Sequence, residues 1–353
     1  MSFKNSNRII LFPKLQKGLI IFFAIAFVIA GLRGYQLFQY VFADNVKNPG
    51  SITIPKEATF DQVLDSLRAR NILNNEKAFK WVSQKKDYKA NIRAGNYVFD
   101  KGMNTNQIVN MLRSGEQKPV SVTFNNVRFF DELAGKVSSY IEPDSLQMLK
   151  YLQDTVTIHA LGFNKYSFHA MFIPNTYEFY WTTTPEQFVE RMDAEYHRFW
   201  NEDRLAQAKA IGLTPIQVST LASIVQEETV KADEKPRVAG LYLNRLRKGM
   251  LLQADPTIKF AIGDFSIQRV LNKYLEIKSP FNTYIHQGLP PGPINFPEIS
   301  SIEAVLNAEK NDFLYMCASD KFNGYHNFAK TLHQHNLNAR KYQRALNENH
   351  IWQ

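Results

Sequence analysis

The sequence predicts an α+β chain, with one apolar helix near the N-terminus, a small βααβ unit, and then a larger mixed domain. Three observations carry that prediction. Four basic residues, Lys4, Arg8, Lys14 and Lys17, precede an uncharged run from Gly18 to Leu32. Short alternating segments then interleave with helix-capping signatures. The composition, 44% hydrophobic and 21% charged over 353 residues, is that of a folded protein rather than a disordered or repetitive one. A lone Cys317 excludes an internal disulfide framework and a cysteine-rich metal site. The net charge of +9 is scattered and part of it sits before the apolar run, so nucleic acid is not an expected partner.

The apolar run continues past Arg33 as GYQLFQYVFA to Ala43. A span needs roughly 20 residues, and an arginine near its end can extend to the headgroups. Residues 18–42 therefore suit a single membrane anchor, with 1–17 in the cytoplasm by the positive-inside rule. A signal peptide cut after Ala43, or a buried core helix, stays open as an alternative.

Beyond the turn at Asn48-Pro49-Gly50-Ser51, Ile52–Pro55 reads as a strand. Thr59-x-x-Gln62 fits a capping box that opens a helix through Leu64 and Leu67. An amphipathic segment follows around Phe79, Trp81 and Val82, then a strand at Arg93–Phe99 and a helix from Asn106 to a stop at Gly115. The run Gln84–Lys89 is basic but broken by Asp87, and reads as a solvated face. Val120–Phe124 alternates as a half-buried strand and precedes a helix over Phe130–Tyr140.

The most informative stretch begins at Thr214-Pro215-Ile216-Gln217, another capping box with proline at the first helical position. It predicts a helix to about Thr229. Leu221, Ile224, Val225 and Glu228 fall at i, i+3, i+4 and i+7, which puts one carboxyl on the apolar face. Gln226 and Glu227 lie along the side of Ser219, Thr220 and Ser223. A buried carboxyl stays protonated nearer neutrality, as a general acid requires, although an acid at a frayed helix end reaching solvent fits the periodicity as well.

A helix from Lys235 or Pro236 to Lys248 follows, with Val238, Leu241, Tyr242 and Leu246 on its packed side. Leu252–Thr257, Ser279–Tyr284 and Gly288–Ile294 read as polar or rigid loops outside the core, whose amides, hydroxyls and rings suit turns or a sugar cleft. A helix from Ser301, capped by Ser300 with Glu303 at N3, leads into strands near Phe313–Ala318 and Tyr325–Phe328. His326, His333 and His335 lack a matched acid nearby, so no metal is expected.

Seven ordered blocks stand out: Ala222–Thr229, Arg237-Val238-Ala239, Leu243–Leu246, Gly249-Met250, Leu252–Thr257, Asn282-Thr283-Tyr284 and Gly288–Gly292. Together they resemble the signature blocks of the YceG-like (MltG) endolytic murein transglycosylases. The resemblance implies a LysM-like subdomain at 50–118 and a catalytic domain at 119–345. It also implies a single-pass inner-membrane enzyme that cuts nascent peptidoglycan at the MurNAc-GlcNAc β-1,4 bond and leaves a 1,6-anhydro-MurNAc end. In the family's E-K-E-T block the second glutamate is catalytic, which places that role on Glu228, in agreement with the helical register. Gln253, Asp255, Asn282, Tyr284 and Asn244 are the candidates for substrate contact. No cofactor is implied, and peptidoglycan polymerases are implied as partners.

Two departures stand out. His169 and Asn175 occupy positions where family members often carry acids, and Gln226 replaces the first glutamate of the E-K-E-T block. A lysozyme-like hydrolase would need a second carboxylate, for which Asp255, Asp233 and Glu227 are available. A non-catalytic wall-binding adaptor is the alternative of another class.

Overall fold

The computed structural model describes residues 13–267 and 270–349. Residues 1–12, most of the expected cytoplasmic segment and including Lys4 and Arg8, lie outside the described residues. The chain separates into two compact units, one of 13–119 with Tyr180–Thr182 and the other of Val120–Phe179 with 183–349. The mixed α+β class holds in both.

The first unit begins with α1 (Pro13–Phe42), 30 residues unbroken through Arg33. Its most apolar stretch is not buried in the protein. A core helix would bury a face, so the core-helix alternative fails. Strand β1 (Gly50–Ile54) follows, then α2 (Phe60–Ala69), α3 (Glu76–Lys85), β2 (Gly95–Phe99) and α4 (Thr105–Ser114). The strands pair antiparallel with Ile52 opposite Tyr97. Ile52 and Ile54 point into the core while Ser51 and Thr53 point out, the period-2 alternation of a half-buried strand. The capping box at Thr59 and Gln62 forms as expected. A second one, Asn104 with Gln107, opens α4, and Gly115 closes it in the left-handed conformation at φ 76°. Phe60, Phe79 and Tyr88 meet ring to ring in the core between α2 and α3.

The second unit starts with β3 (Val120–Phe124), α5 (Phe130–Ser138), α6 (Ser145–Leu152), α7 (Thr155–Ala160) and β4 (Asn175–Phe179). Strands β3 and β4 pair antiparallel, with Val122 opposite Tyr177. Next come α8 (Pro185–Phe199), α9 (Glu202–Ala210) and α10 (Pro215–Glu228), then α11 (Lys235–Arg247) and α12 (Asp255–Ile262). The unit ends with α13 (Ile299–Leu306), β5 (Tyr315–Ala318), β6 (His326–Ala329) and α14 (Leu332–Glu348). Helix α10 is the axis of this unit, since every residue from Val218 to Val225 is buried, including Ser219, Thr220 and Ser223. The side expected to be polar is therefore not a solvent face. Two of these hydroxyls are accommodated within the helix: Thr220 donates to the Ile216 carbonyl and Ser223 to that of Thr220.

Two expectations from sequence need correction. Leu252–Thr257 and Gly288–Ile294 are not peripheral loops. Leu252, Ala254 and Ile294 are wholly buried, and Asp255-Pro256 opens α12 with proline in its first turn. Helix α13 begins at Ile299 rather than Ser301, and Ser300 does not cap it. The Gln226 side chain, arriving from α10, accepts from the Glu298 N–H and the Ser301 hydroxyl instead.

Buried chain in the Pro290–Pro293 segment makes one glycine indispensable. A Cβ on Gly292 would fall on the Tyr166 carbonyl, which is backbone and cannot swing aside. Gly292→Ala is expected to cost about 1–3 kcal/mol, the range for overpacking. Thermal melting of the variant should show a midpoint lower by several degrees, with the Gly135→Ala change at an uncrowded helical site as its comparison.

Candidate active site

The end of α10 presents three successive polar side chains, each advanced by about 100° around the helix axis. Gln226 is occupied at the start of α13. Glu227 faces Arg128, whose guanidinium donates to both carboxylate oxygens at 3.2 and 3.1 Å, and it also accepts from the Asn295 amide at 2.8 Å. Glu228 turns to a third environment, the wall of a cavity of about 440 Å³.

That cavity is lined by Glu228, Tyr242, Arg245, Gln253, Asp255, Tyr284, Tyr315 and His326, with Cys317 and His335 at its margin. Helix α11 supplies Tyr242 and Arg245, three residues apart and so on one face. The Tyr242 hydroxyl, itself buried, donates to Glu228 Oε1 at 2.5 Å. Arg245 donates to the Leu252 carbonyl at 2.8 Å and to Gln253 Oε1 at 2.9 Å. Gln253 adopts a left-handed φ of 51°, and its backbone N–H bonds the Thr283 carbonyl. With its oxygen held by Arg245, the Gln253 amide keeps two N–H donors for a ligand. Across the cavity, Tyr284 donates a short hydrogen bond to Asp255.

Burial is the main reason that the Glu228 carboxyl titrates above the ordinary glutamate range. The Tyr242 hydrogen bond and His326 oppose this, and the negative Asp255 adds to it. Tyr242 in turn is pushed well above the usual phenol range, by burial first and then by Glu228. It therefore remains a donor across the physiological range.

A buried carboxylate stabilises the surroundings. Glu234, at 2% exposure, accepts from the Thr229 hydroxyl at 2.8 Å and from the His326 backbone N–H at 2.7 Å, and lies 2.9 Å from His326 Nδ1. It thereby joins the C-cap of α10, the start of α11 and strand β6.

Of the residues singled out from sequence, Glu228, Gln253, Asp255 and Tyr284 share the cavity. Asn282 and Asn244 do not. Asn282 is fully buried and donates to the Leu275 and Ile277 carbonyls while accepting from the Tyr284 N–H. Asn244 donates to the carbonyls of Asn311 and Phe313. Both amides shape loops rather than face the cavity. Of the spare carboxylates, Glu227 is engaged by Arg128, and Asp233 is exposed beside the Tyr325 hydroxyl. His169 is packed against Phe130 and Phe296, and burial lowers its pKa to about 4, so the ring is neutral. Asn175 is exposed at the start of β4. The three C-terminal histidines occupy separate environments: His326 on Glu234, His335 stacked on Tyr315, and His333 exposed.

Sequence reasoning missed Tyr242, Arg245, Glu234 and His326. One signal was available for Tyr242. A tyrosine on the packed face of a helix needs a partner for its hydroxyl, and an inward carboxyl on the preceding helix is the natural acceptor.

Comparisons with known proteins show the family. The YceG-like family matches residues 52–341. An endolytic murein transglycosylase of Bacillus subtilis (strain 168) is 31% identical over 334 residues, 90% of this chain and 91% of that protein. An endolytic murein transglycosylase of Streptococcus pneumoniae serotype 2 is 25% identical over 361 residues, 92% of this chain, which spans 65% of that longer relative. The crystal structure of a yceG-like protein from Listeria monocytogenes aligns with a TM-score of 0.54 at 28% identity, covering 82% of this chain and 99% of that one. By a family match over most of its length and a relative above 30% identity, this chain belongs to the YceG-like family.

Proposed function

We propose that the protein is a membrane-anchored endolytic lytic transglycosylase of peptidoglycan. The observation that carries this reading is the Glu228 carboxyl, half-buried in a cavity wall and bonded at one oxygen by Tyr242. The names of the Bacillus and Streptococcus relatives support the substrate and the type of cut.

The reaction begins with Glu228 protonated, the form that its raised pKa favours. Because Tyr242 donates to Oε1, the carboxyl proton resides on Oε2 and is free to meet the glycosidic oxygen of a strand in the cavity. Transfer of that proton breaks the C1–O bond and leaves positive charge at C1 of MurNAc, with Glu228 now a carboxylate. The carboxylate removes the proton from the sugar's C6 hydroxyl, whose oxygen closes on C1. The 1,6-anhydro ring forms, Glu228 regains its proton, and no water is consumed. Tyr242 is a positioning residue that also stabilises the carboxylate between the two transfers. The Gln253 amide and Tyr284 suit contacts to sugar hydroxyls.

Helix α1 serves as the membrane anchor in this reading, with its N-terminus in the cytoplasm and both units outside. Gln36, Tyr40, Val41 and Ala43 are half-buried against the first unit, which supports retention of the helix over cleavage after Ala43. The β1-α2-α3-β2 order, with the two strands antiparallel, supports the LysM-like assignment for 50–118. Peptidoglycan polymerases remain the partners that the family resemblance implies.

Asp255 lines the same cavity as Glu228, which favours glycan hydrolysis as the second reading. Mass spectrometry of uncross-linked glycan strands treated with the protein separates the possibilities. Anhydro-ended fragments are expected, and Glu228→Gln should reduce their rate by at least about 100-fold, as loss of a general acid-base does. Fragments heavier by one water would establish the hydrolase. Strands left intact by both forms would overturn catalysis and favour a wall-binding adaptor.

The pH profile tests Tyr242 separately. Its hydrogen bond favours the charged form of Glu228, so removing it raises the Glu228 pKa further. Activity requires the protonated acid in the free enzyme, and the basic limb of kcat/KM reports its loss. Tyr242→Phe should therefore move the basic limb to higher pH and lower kcat. A basic limb that stays in place, or moves down, would remove Tyr242 from this role.

A further inference from the structure

We infer that the first unit carries a binding site for the phosphate headgroup of an anionic phospholipid, formed where the C-terminal ends of α3 and α4 meet. This rests on the reading of α1 as a membrane anchor. A cavity of about 610 Å³ at that place is lined by Lys86, Arg93 and Arg113, with Asn91, Asn110, Ser114 and a single acid, Asp87. Among the described residues none of the three cations forms a salt bridge with a carboxylate.

The cations are fixed in place by bonds that leave most of their donors available. Lys86 Nζ donates to Asn110 Oδ1 at 2.5 Å, Arg113 donates to the Lys86 carbonyl at 3.0 Å, and Arg93 Nε donates to the Arg113 carbonyl at 3.1 Å. Each guanidinium has five N–H donors in a planar fork suited to phosphate oxygens. Three cations held this close repel one another, and an anion between them relieves that repulsion.

The position of the cavity identifies the anion. Asn45, just past the end of α1, bonds the backbone of Asn75 before α3 and the Thr105 hydroxyl at the start of α4. Further along α3, Trp81 meets Tyr40 of α1, with ring centroids 6.3 Å apart. Moving forward along α3 thus means moving backward along α1, toward the membrane. Five residues beyond Trp81, about 7.5 Å at helical rise, Lys86 lies level with the α1 turn near Gln36. Helix α4 runs the same way, because its start is at Asn45 and its end is at Lys86. A hydrocarbon layer about 30 Å thick entered near Gly18 ends near Leu37. The cavity therefore sits at the headgroup level of the outer leaflet, with Trp81 and Tyr40 as the interfacial aromatic pair. The amide and hydroxyl groups of Asn91, Asn110 and Ser114 complement the glycerol hydroxyls of such a headgroup.

Native mass spectrometry of the detergent-solubilised full chain, with phosphatidylglycerol, phosphatidylcholine or inorganic phosphate added, tests this. The unmutated chain should retain phosphatidylglycerol at least tenfold better than phosphatidylcholine. Lys86→Gln with Arg113→Gln should abolish that preference, and Asn110→Asp, which adds an anion without touching the helix-end carbonyls, should do the same. Lys77→Gln with Lys101→Gln removes equal charge elsewhere on the unit and should leave the preference intact. An equal loss in that control would mean diffuse attraction and overturn the site, as would equal retention of both lipids by the unmutated chain. Displacement of phosphatidylglycerol by millimolar inorganic phosphate would make the site one for free phosphate and overturn the lipid assignment. Carbonate washing of membranes separates the two levels: a chain that washes out overturns the anchor and the site together, whereas a chain that stays with no lipid preference overturns the site alone.

Discussion

The cavity around Glu228 depends on a carboxylate that does not face it. Glu234 is buried, so its two oxygens need polar partners or the fold bears the full desolvation cost of a charge. They find them in the Thr229 hydroxyl, the His326 backbone N–H and the His326 ring. Thr229 is the C-cap of α10 and adopts an extended conformation at φ −146°. The bond to Glu234 thus ends the helix immediately after Glu228 and sets the direction in which the chain leaves. Strand β6 is drawn to the same point, which brings His326 to the cavity. The geometry around Glu228 is a consequence of this junction.

Glu227 and Glu228 are neighbours in sequence and differ in surroundings. Arg128 donates two hydrogen bonds to Glu227, and Asn295 a third. Glu228 is half-buried, receives one neutral donor, Tyr242, and has its pKa raised by desolvation. Under the proposed mechanism, this difference lets Glu228 act as acid while Glu227 holds structure.

Sequence pattern revealed the elements whose signals are local. The capping boxes at Thr59 and Thr214 form as spaced, and the register of α10 aims Glu228 away from Gln226 and Glu227. Features that depend on distant partners were not legible. Ser300 has the composition of a cap, yet the N-terminus of α13 is satisfied by Gln226, more than seventy residues away. The pairing of β3 with Asn175–Phe179 was equally hidden, because neither segment carries a mark of its partner. Asn282 and Asn244 looked like ligand-binding amides because they stand in the blocks that resemble the family. Residues can be essential to such a block by holding its loops, and backbone carbonyls already engage both amides.

The last turn of α10 couples these roles mechanically. Gln226 holds α13, Glu227 holds Arg128 and Asn295, and Glu228 faces the cavity, all on one rigid turn at 1.5 Å rise per residue. A rotation of the helix that moved Glu228 by an ångström would also strain the contacts of its two neighbours. The position of the Glu228 carboxyl is thus secured by residues that face away from the cavity, on a helix already immobilised by burial from Val218 to Val225. This also accounts for glutamine in place of an acid at 226. The position accepts hydrogen bonds from a backbone N–H and a hydroxyl, a task for a neutral carbonyl oxygen that adds no negative charge beside Glu227 and Glu228.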